Sequence, residues 1–337
     1  MKRTLWVDSC RFFAIFVIMC THFLAEFYPQ ALLLWEEGLS SWLLYGLTGK
    51  FSVAFFFVLL GYFASRASNF KLPELLRYSL RRYIHFAFFV FLSTAAMIAA
   101  CYCCTWLFHS PGPAAQRIIA DGFRYNLIYL LRDSFLFENN YNSTLWCMQQ
   151  LFLASILCRL LGCLPRRMGP AAAVFVMVVL LIMDAGFCIW ICAAILGYVL
   201  RIVLENDRLC RRLSAPLPLC IMALAALLMI KLRLPEGALQ YSLQSLAALL
   251  LIFIQFKFTP AQKLLACAPF PWLGSISMGL FVVHTPIYAI LASSLYPVLL
   301  AFLAEGAALL LCYIAAVALS IFCAWLLHSL YGLISKK

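Results

Sequence analysis

The chain has 337 residues, of which 66% are hydrophobic and 11% are charged, and its mean hydropathy is +0.97. This composition excludes a water-soluble globular protein, because a soluble chain of this length needs far more polar surface. Apolar runs of spanning length recur throughout, so the sequence predicts an all-α polytopic membrane protein. The formal net charge of +12 fits membrane topology and anionic lipid headgroups, and it requires no nucleic-acid partner.

The first predicted span carries an aspartate, an arginine and a histidine in a largely apolar stretch, VDSCRFFAIFVIMCTHF. Arg11 and His22 are separated by about three helical turns, so both side chains project from one face of the helix. Asp8 precedes Arg11 by one turn and is placed to pair with it. Charged groups inside a span usually face a bundle interior or a wet cavity, which makes this face the candidate site of chemistry. Because Asp8 and Arg11 interrupt the apolar region of a would-be signal peptide, we interpret the segment as an uncleaved first helix.

The remaining apolar runs extend this pattern to about ten transmembrane helices in a single membrane domain, residues 1–337. An even number of spans places both termini on one side. The basic residues identify that side as cytoplasmic, because 18 of the 25 lysines and arginines then fall in inner segments and 6 in outer segments. The predicted spans are 6–26, 50–66, 84–107, 145–163, 170–184, 187–204, 215–231, 239–256, 270–292 and 297–330.

The longest segment between the spans is 108–144, which we predict to be extramembrane and which ends in the polar run ENNYNST. The inner segment 66–83 is the densest basic cluster and contains Arg77, Arg81 and Arg82. Fifteen cysteines are scattered through the apolar spans. Buried cysteine packs as a small hydrophobe, so we predict no metal site, although a site combining the CYCC run at 101–104 with His109 is the alternative.

The sequence resembles the acyltransferase-3 family of integral membrane acyltransferases. The first span, with Asp8, Arg11, Ala14 and His22, is similar to the opening signature of that family, in which Arg-x10-His marks the first helix. Four later stretches are similar to later family motifs and keep their order: TGKFSVAFFFVLLGYFASR (48–66), LRYSLRRYIHF (76–86), TLWCMQQLF (144–152) and LGSISMGLFVVHTPIY (273–288).

Several positions depart from the family pattern. Leu60 replaces the usual serine, His85 stands near the place of a proline, and Phe281 replaces a tyrosine of the late helix. Gln149 and Gln150 lie near where many relatives carry glutamate, which leaves the substrate class open. Arg11 and His22 keep the family pattern.

The resemblance implies acyl transfer, commonly of acetyl from cytosolic acetyl-CoA to a hydroxyl of a cell-envelope polysaccharide or lipid-linked sugar. The donor would be a substrate, so no permanently bound cofactor is expected. His22 can serve as general base because its reference pKa lies near working pH; acylation of His22 itself is the alternative. Arg11, held by Asp8, would bind a donor phosphate or polarise a carbonyl.

The basic cluster, His284 and Trp146 have two interpretations each. Arg77, Arg81 and Arg82 suit the phosphates of coenzyme A, and they equally suit lipid headgroups. His284, in the ninth span, would line the same cavity as His22 or would stabilise a kink before Pro286. Trp146 would anchor the helix at the membrane interface or stack on a sugar ring. His109 and His328 are taken as structural.

An alternative to an enzyme is a polytopic transporter or exporter of a glycan or lipid, since intramembrane arginine and histidine would serve transport too. No pairing of broken helices in two halves, a common transporter feature, is visible in the sequence. The family resemblance favours the acyltransferase and places it in the bacterial plasma membrane.

Overall fold

The protein is described by a computed structural model covering residues 4–28, 49–66, 71–108, 113–165, 167–183, 186–232 and 237–334. All regular secondary structure in these ranges is helical, which confirms the predicted all-α class. The helices are α1 (Leu5–Phe27), α2 (Gly49–Ala64), α3 (Leu72–Phe108), α4 (Pro113–Leu136), a 3₁₀ turn (Ser143–Cys147), α5 (Met148–Cys163), α6 (Met168–Ile182), α7 (Gly186–Glu205), α8 (Asp207–Leu213), α9 (Pro216–Lys231), α10 (Ala238–Lys257), α11 (Thr259–Leu265), α12 (Phe270–Ser275), α13 (Ser277–Ser293), α14 (Leu295–Phe302) and α15 (Glu305–Ile334).

Six helical segments of the described chain are long and apolar enough to cross a membrane, and there are up to eight if two bent pairs each form one span. These pairs are α8 with α9, bent by 72°, and α13 with α14, bent by 45°. Helices α2 and α6 are apolar but shorter. Several apolar helices of spanning length indicate an integral membrane protein, because an α-helix satisfies its own backbone hydrogen bonds and can therefore cross lipid.

Several boundaries differ from the sequence prediction. The predicted tenth span, 297–330, is interrupted, because α14 ends at Phe302 and α15 begins at Glu305, with extended backbone at Leu303. The predicted ninth span, 270–292, is divided at Ile276. The predicted extramembrane segment 108–144 contains α4, an additional helix that carries charged side chains along its length and is not among the candidate spans.

The described helices form two compact units, each built from separate stretches of chain. The first unit comprises Met1–Trp6, Leu34–Tyr83 and Gln150–Cys267. Within it, α2, α7 and α10 pack together and run in the same direction: Lys50 lies over the ring of Tyr241 at their N-terminal ends, and Tyr62 contacts Phe256 near their C-terminal ends. Phe57, in the middle of α2, contacts Trp190 in the first half of α7.

Two glycines, one on α2 and one on α7, allow the backbones of these helices to approach closely. A Cβ at Gly61 would collide with the backbone carbonyl of Ala194, and one at Gly197 would collide with the carbonyl of Val58. Such close backbone contact through small residues is a common way for helices to associate in a membrane, where the hydrophobic effect contributes little between helices.

We therefore expect Gly61→Ala to destabilise the first unit by about 1–3 kcal/mol, the usual effect of overpacking. Gly332→Ala on α15 is the matched control, because nothing in the described structure lies within 4 Å of the added methyl group. Thermal unfolding in detergent gives the melting temperature of both variants. A Gly61→Ala melting temperature equal to that of the control would contradict the close approach.

The second unit comprises Val7–Leu33, Ile84–Gln149 and Ala268–Lys337. Helix α1 packs on α13 and α15 through aromatic edges: Phe23 contacts Tyr288 and Tyr313 at ring-centroid distances of 5.6 and 5.0 Å. At the other end of α1, Gly274 of α12 lies directly against the carbonyl of Asp8. These contacts hold α1 beside α13, the helix that carries His284.

Candidate active site

The central feature of the second unit is a pair of histidines from helices distant in sequence. His22 Nδ1 lies 2.9 Å from His284 Nε2, and the two rings are nearly parallel, with an interplanar angle of 13°. His284 is fully buried, whereas His22 keeps partial exposure. The structure thus brings together His22 and His284, which the sequence placed in different spans.

The hydrogen bonds around the pair define the neutral tautomer of each ring. His284 Nδ1 lies 3.0 Å from the carbonyl oxygen of Leu280, which can only accept, so Nδ1 carries the hydrogen. His284 Nε2 is then an acceptor, and His22 Nδ1 donates to it. This leaves a lone pair on His22 Nε2, the nitrogen that faces away from His284. A partly exposed imidazole with a defined lone pair is able to remove a proton from a hydroxyl group.

A proline two residues after His284 shapes this part of α13. Pro286 has no N–H, so the carbonyl of Val282 loses its usual partner within the helix. Ser93 of α3 donates its hydroxyl to that carbonyl in a short hydrogen bond. The side-chain bond from α3 replaces the missing helical bond and ties the backbone next to His284 to a second helix.

Asn142 extends these contacts into a buried polar network. Its amide nitrogen donates to Ser93 Oγ at 2.8 Å, and its amide oxygen accepts from the hydroxyl of Thr144 at 2.6 Å. Thr285, adjacent to His284, donates to Thr144 at 3.1 Å. No role for these residues was predicted from sequence; the polar run ENNYNST before the fourth span was the only signal of Asn142 and Thr144.

Asp8 and Arg11 pair on the first helix as their spacing predicts. Arg11 Nη1 donates to Asp8 Oδ1 at 3.1 Å, with the aspartate buried and about a third of the arginine side chain exposed. Ile15 and Ile18, on the same face between Arg11 and His22, are both buried. The ion pair and the histidine pair are therefore separated along α1 by packed apolar side chains.

The basic residues Arg77, Arg81 and Arg82 lie near the start of α3, which begins well before the predicted span. Arg77 and Arg81 are exposed, and Arg82 is partly buried. All three belong to the first unit, whereas the histidine pair belongs to the second. Their spacing places Arg77 and Arg81 one turn apart, which suits a phosphate group of either a nucleotide or a lipid.

Trp146 lies in the 3₁₀ turn next to Thr144 and is partly exposed.

All fifteen cysteines are unpaired thiols. Among the described residues no group of three or more His, Cys, Asp and Glu side chains could hold a metal ion, while His109 lies outside those residues. His328 lies on α15, is exposed, and is far from both His22 and His284 in sequence.

The fold and site together define an integral membrane protein with a buried histidine pair capable of proton transfer. The chain matches the acyltransferase-3 family, described as an acyltransferase domain, over residues 4–329. It belongs to this family of membrane acyltransferases, as its ordered motifs predicted. Comparisons with curated proteins and with solved structures gave no match.

Proposed function

We propose that this acyltransferase moves an acetyl group from acetyl-CoA to a hydroxyl of a cell-envelope polysaccharide or lipid-linked sugar, with His22 as general base. The observation that carries the proposal is the chain of hydrogen bonds from His22 through His284 to the Leu280 carbonyl. That chain leaves the lone pair of His22 Nε2 available. An acyl donor and an acceptor are already implied by the family.

In the proposed step, the acceptor O–H gives its proton to His22 Nε2 while its oxygen bonds to the thioester carbonyl carbon. The C–S bond then breaks, and the coenzyme A sulfur takes the proton back from His22. His284 accepts a hydrogen bond from the imidazolium that forms, as the third member of a catalytic triad does. If His22 were acylated instead, labelled acetyl-CoA would modify the protein when no acceptor is present.

Other residues would serve binding and positioning. Arg11, oriented by Asp8, would bind a phosphate of the donor, since three helical turns with the buried Ile15 and Ile18 separate it from His22 and from the reacting carbonyl. Arg77, Arg81 and Arg82 would bind the coenzyme A phosphates. Trp146 would stack on the acceptor sugar near the polar network of Asn142, which fixes the backbone beside His284.

We further propose one domain of ten spans with both termini in the cytoplasm of a bacterial cell. Support comes from the two shorter apolar helices, which bring the eight candidate spans to ten, and from the excess of basic residues in the inner segments. Acetyl-CoA would then reach the enzyme from the cytosol.

The test uses purified protein in liposomes with radiolabelled acetyl-CoA and an envelope extract rich in glycans and glycolipids. Transfer of label to the extract that requires the protein would support the proposal. The absence of transfer from acetyl-CoA to every hydroxyl acceptor supplied would contradict it.

Arg11→Lys tests the proposed role of the guanidinium. An ammonium keeps the charge but lacks the planar fork that binds phosphate or carboxylate through two parallel hydrogen bonds, so we expect a loss of about 10-fold or more in kcat/KM for acetyl-CoA. Arg212→Lys on α8, in an exposed position, is the control and should keep wild-type kinetics. Full activity in Arg11→Lys would make Arg11 a structural residue.

A further inference from the structure

The first unit contains an open cavity of about 510 Å³ that involves none of the residues assigned to the proposed reaction. Its volume falls in the range of small-molecule pockets, about 300–1,000 Å³. The lining comes from the C-terminal ends of α7 and α10 and from the short helix α8 with its C-cap. The lining residues are Leu204, Asp207, Cys210, Arg211, Ser214 and Lys257.

The cavity lies at the level where two candidate spans end. The span in α7 ends at Glu205 and the span in α10 ends at Lys257, and these parallel helices also contact each other near their N-terminal ends. Leu209 and Phe258, each adjacent in sequence to a lining residue, are exposed apolar side chains. Charged groups at the ends of spans, with exposed apolar side chains next to them, are typical of the headgroup region of a bilayer.

Helix α8 turns one face towards the cavity. Its lining residues Asp207, Cys210, Arg211 and Ser214 recur at intervals of three and four, which places them on the same side of the helix. Arg211 Nε donates to the carbonyl oxygen of Asp207 at 3.3 Å, and this bond uses one of the five N–H donors of the guanidinium. One turn of α8 therefore supplies the cavity with both a carboxylate and a guanidinium.

The charges around the cavity are complementary to a zwitterion. Among the described residues neither Asp207 nor Lys257 forms an ion pair, so both charges are available to a ligand. Arg211 and Lys257 suit a phosphate, because both are cationic donors. Asp207 repels a polyanion such as coenzyme A and suits an ammonium. A ligand that carries one phosphate and one ammonium matches all three side chains.

We propose that this cavity binds the headgroup of an ethanolamine phospholipid, with the phosphate on Arg211 and Lys257 and the ammonium on Asp207. The exposed side chains of Leu209 and Phe258 adjoin the acyl chains of such a lipid. The site lies within the first unit, and it does not rest on the proposed acetyl transfer.

The experiment measures binding of radiolabelled dioleoylphosphatidylethanolamine to the full chain in dodecyl maltoside micelles. We expect saturable binding to the wild type, and about 10-fold weaker binding of the choline and glycerol phospholipids with the same acyl chains. The choline lipid keeps the phosphate but has no N–H to donate, and the glycerol lipid has no ammonium. Loss of one charge-assisted hydrogen bond changes affinity by about this factor.

Substitutions separate the two parts of the headgroup. Arg211→Gln and Lys257→Gln should each weaken binding of the ethanolamine lipid by about 10-fold, since each removes a cationic donor to the phosphate. Asp207→Asn should weaken the ethanolamine lipid by about 10-fold and leave the choline lipid unchanged, so that the preference between the two lipids disappears. Melting temperatures without added lipid check that each variant is folded.

Arg208→Gln and Arg212→Gln are the matched controls, because both arginines are exposed on α8 and neither lines the cavity. Each removes the same charge from the same helix, so each should bind the ethanolamine lipid like the wild type. An equal loss in Arg208→Gln and Arg211→Gln would indicate diffuse electrostatic attraction and would overturn the site.

Free glycerophosphoethanolamine distinguishes a lipid from a soluble ester with the same headgroup. It should compete only at concentrations far above those of the lipid, because it lacks the acyl chains. Equal affinity for the free ester, displacement by free coenzyme A, or equal binding of the ethanolamine and choline lipids to the wild type would each overturn the proposal. His22→Ala should bind the lipid like the wild type, so the site and the proposed reaction can fail separately.

Discussion

Replacing His22 by alanine is expected to lower acetyl transfer by about 10²- to 10⁴-fold, the usual contribution of a general base. The loss should fall on kcat, because the substitution removes the group that accepts the hydroxyl proton and leaves donor binding to other residues. Initial rates of transfer from labelled acetyl-CoA in proteoliposomes measure this loss of kcat. The substitution also leaves the buried acceptor His284 Nε2 without its donor, so the melting temperature should fall by the few degrees that an unpaired buried group costs, while membrane insertion is retained.

His328→Ala is the control for this variant, since it removes an exposed imidazole from α15 outside the candidate site. It should retain the wild-type rate. A normal rate in His22→Ala would end the assignment of His22 as the base, whatever the behaviour of the control.

Replacing His284 by leucine is expected to lower kcat by roughly 10²- to 10⁴-fold, by analogy with loss of the orienting residue of a catalytic triad. Without the acceptor at His284 Nε2, His22 loses the partner that holds its hydrogen on Nδ1 and stabilises its protonated form. The KM for acetyl-CoA should stay close to that of the wild type. His284→Gln keeps an acceptor oxygen, and we expect it to recover part of the activity.

His85→Leu is the matched control, because His85 packs against the rings of Phe89 and Tyr331 and lies outside the pair. Its loss should reduce stability slightly and leave kcat unchanged. If His284→Leu matched His85→Leu in kcat, His284 would be a packing residue of α13 rather than a positioning residue for His22.

Local features of the fold followed directly from the sequence. The apolar runs predicted the helices, and the three-residue spacing of Asp8 and Arg11 predicted an ion pair that the structure contains. The ordered motifs indicated the family, because each depends on residues close together in the chain. These features are determined within one or two helical turns.

Features that depend on distant residues were not determined by the sequence pattern. The sequence left His284 between two roles, because contact between α1 and α13 is set by the packing of Phe23, Tyr288 and Tyr313. The partner of the Val282 carbonyl came from α3, far from Pro286 in sequence. Breaks at Ile276 and Leu303 fall within apolar runs, where hydropathy alone gives no boundary.

The long separation between His22 and His284 has a consequence for biogenesis. Arg11 can pair with Asp8 as soon as the first turns of α1 form. His22 can contact His284 only after the ribosome has added another 262 residues. At about 5–20 residues per second that delay lasts roughly ten to fifty seconds. During that time the imidazole of His22 lacks its hydrogen bond to His284, so the candidate site is assembled only after the late helices have been made.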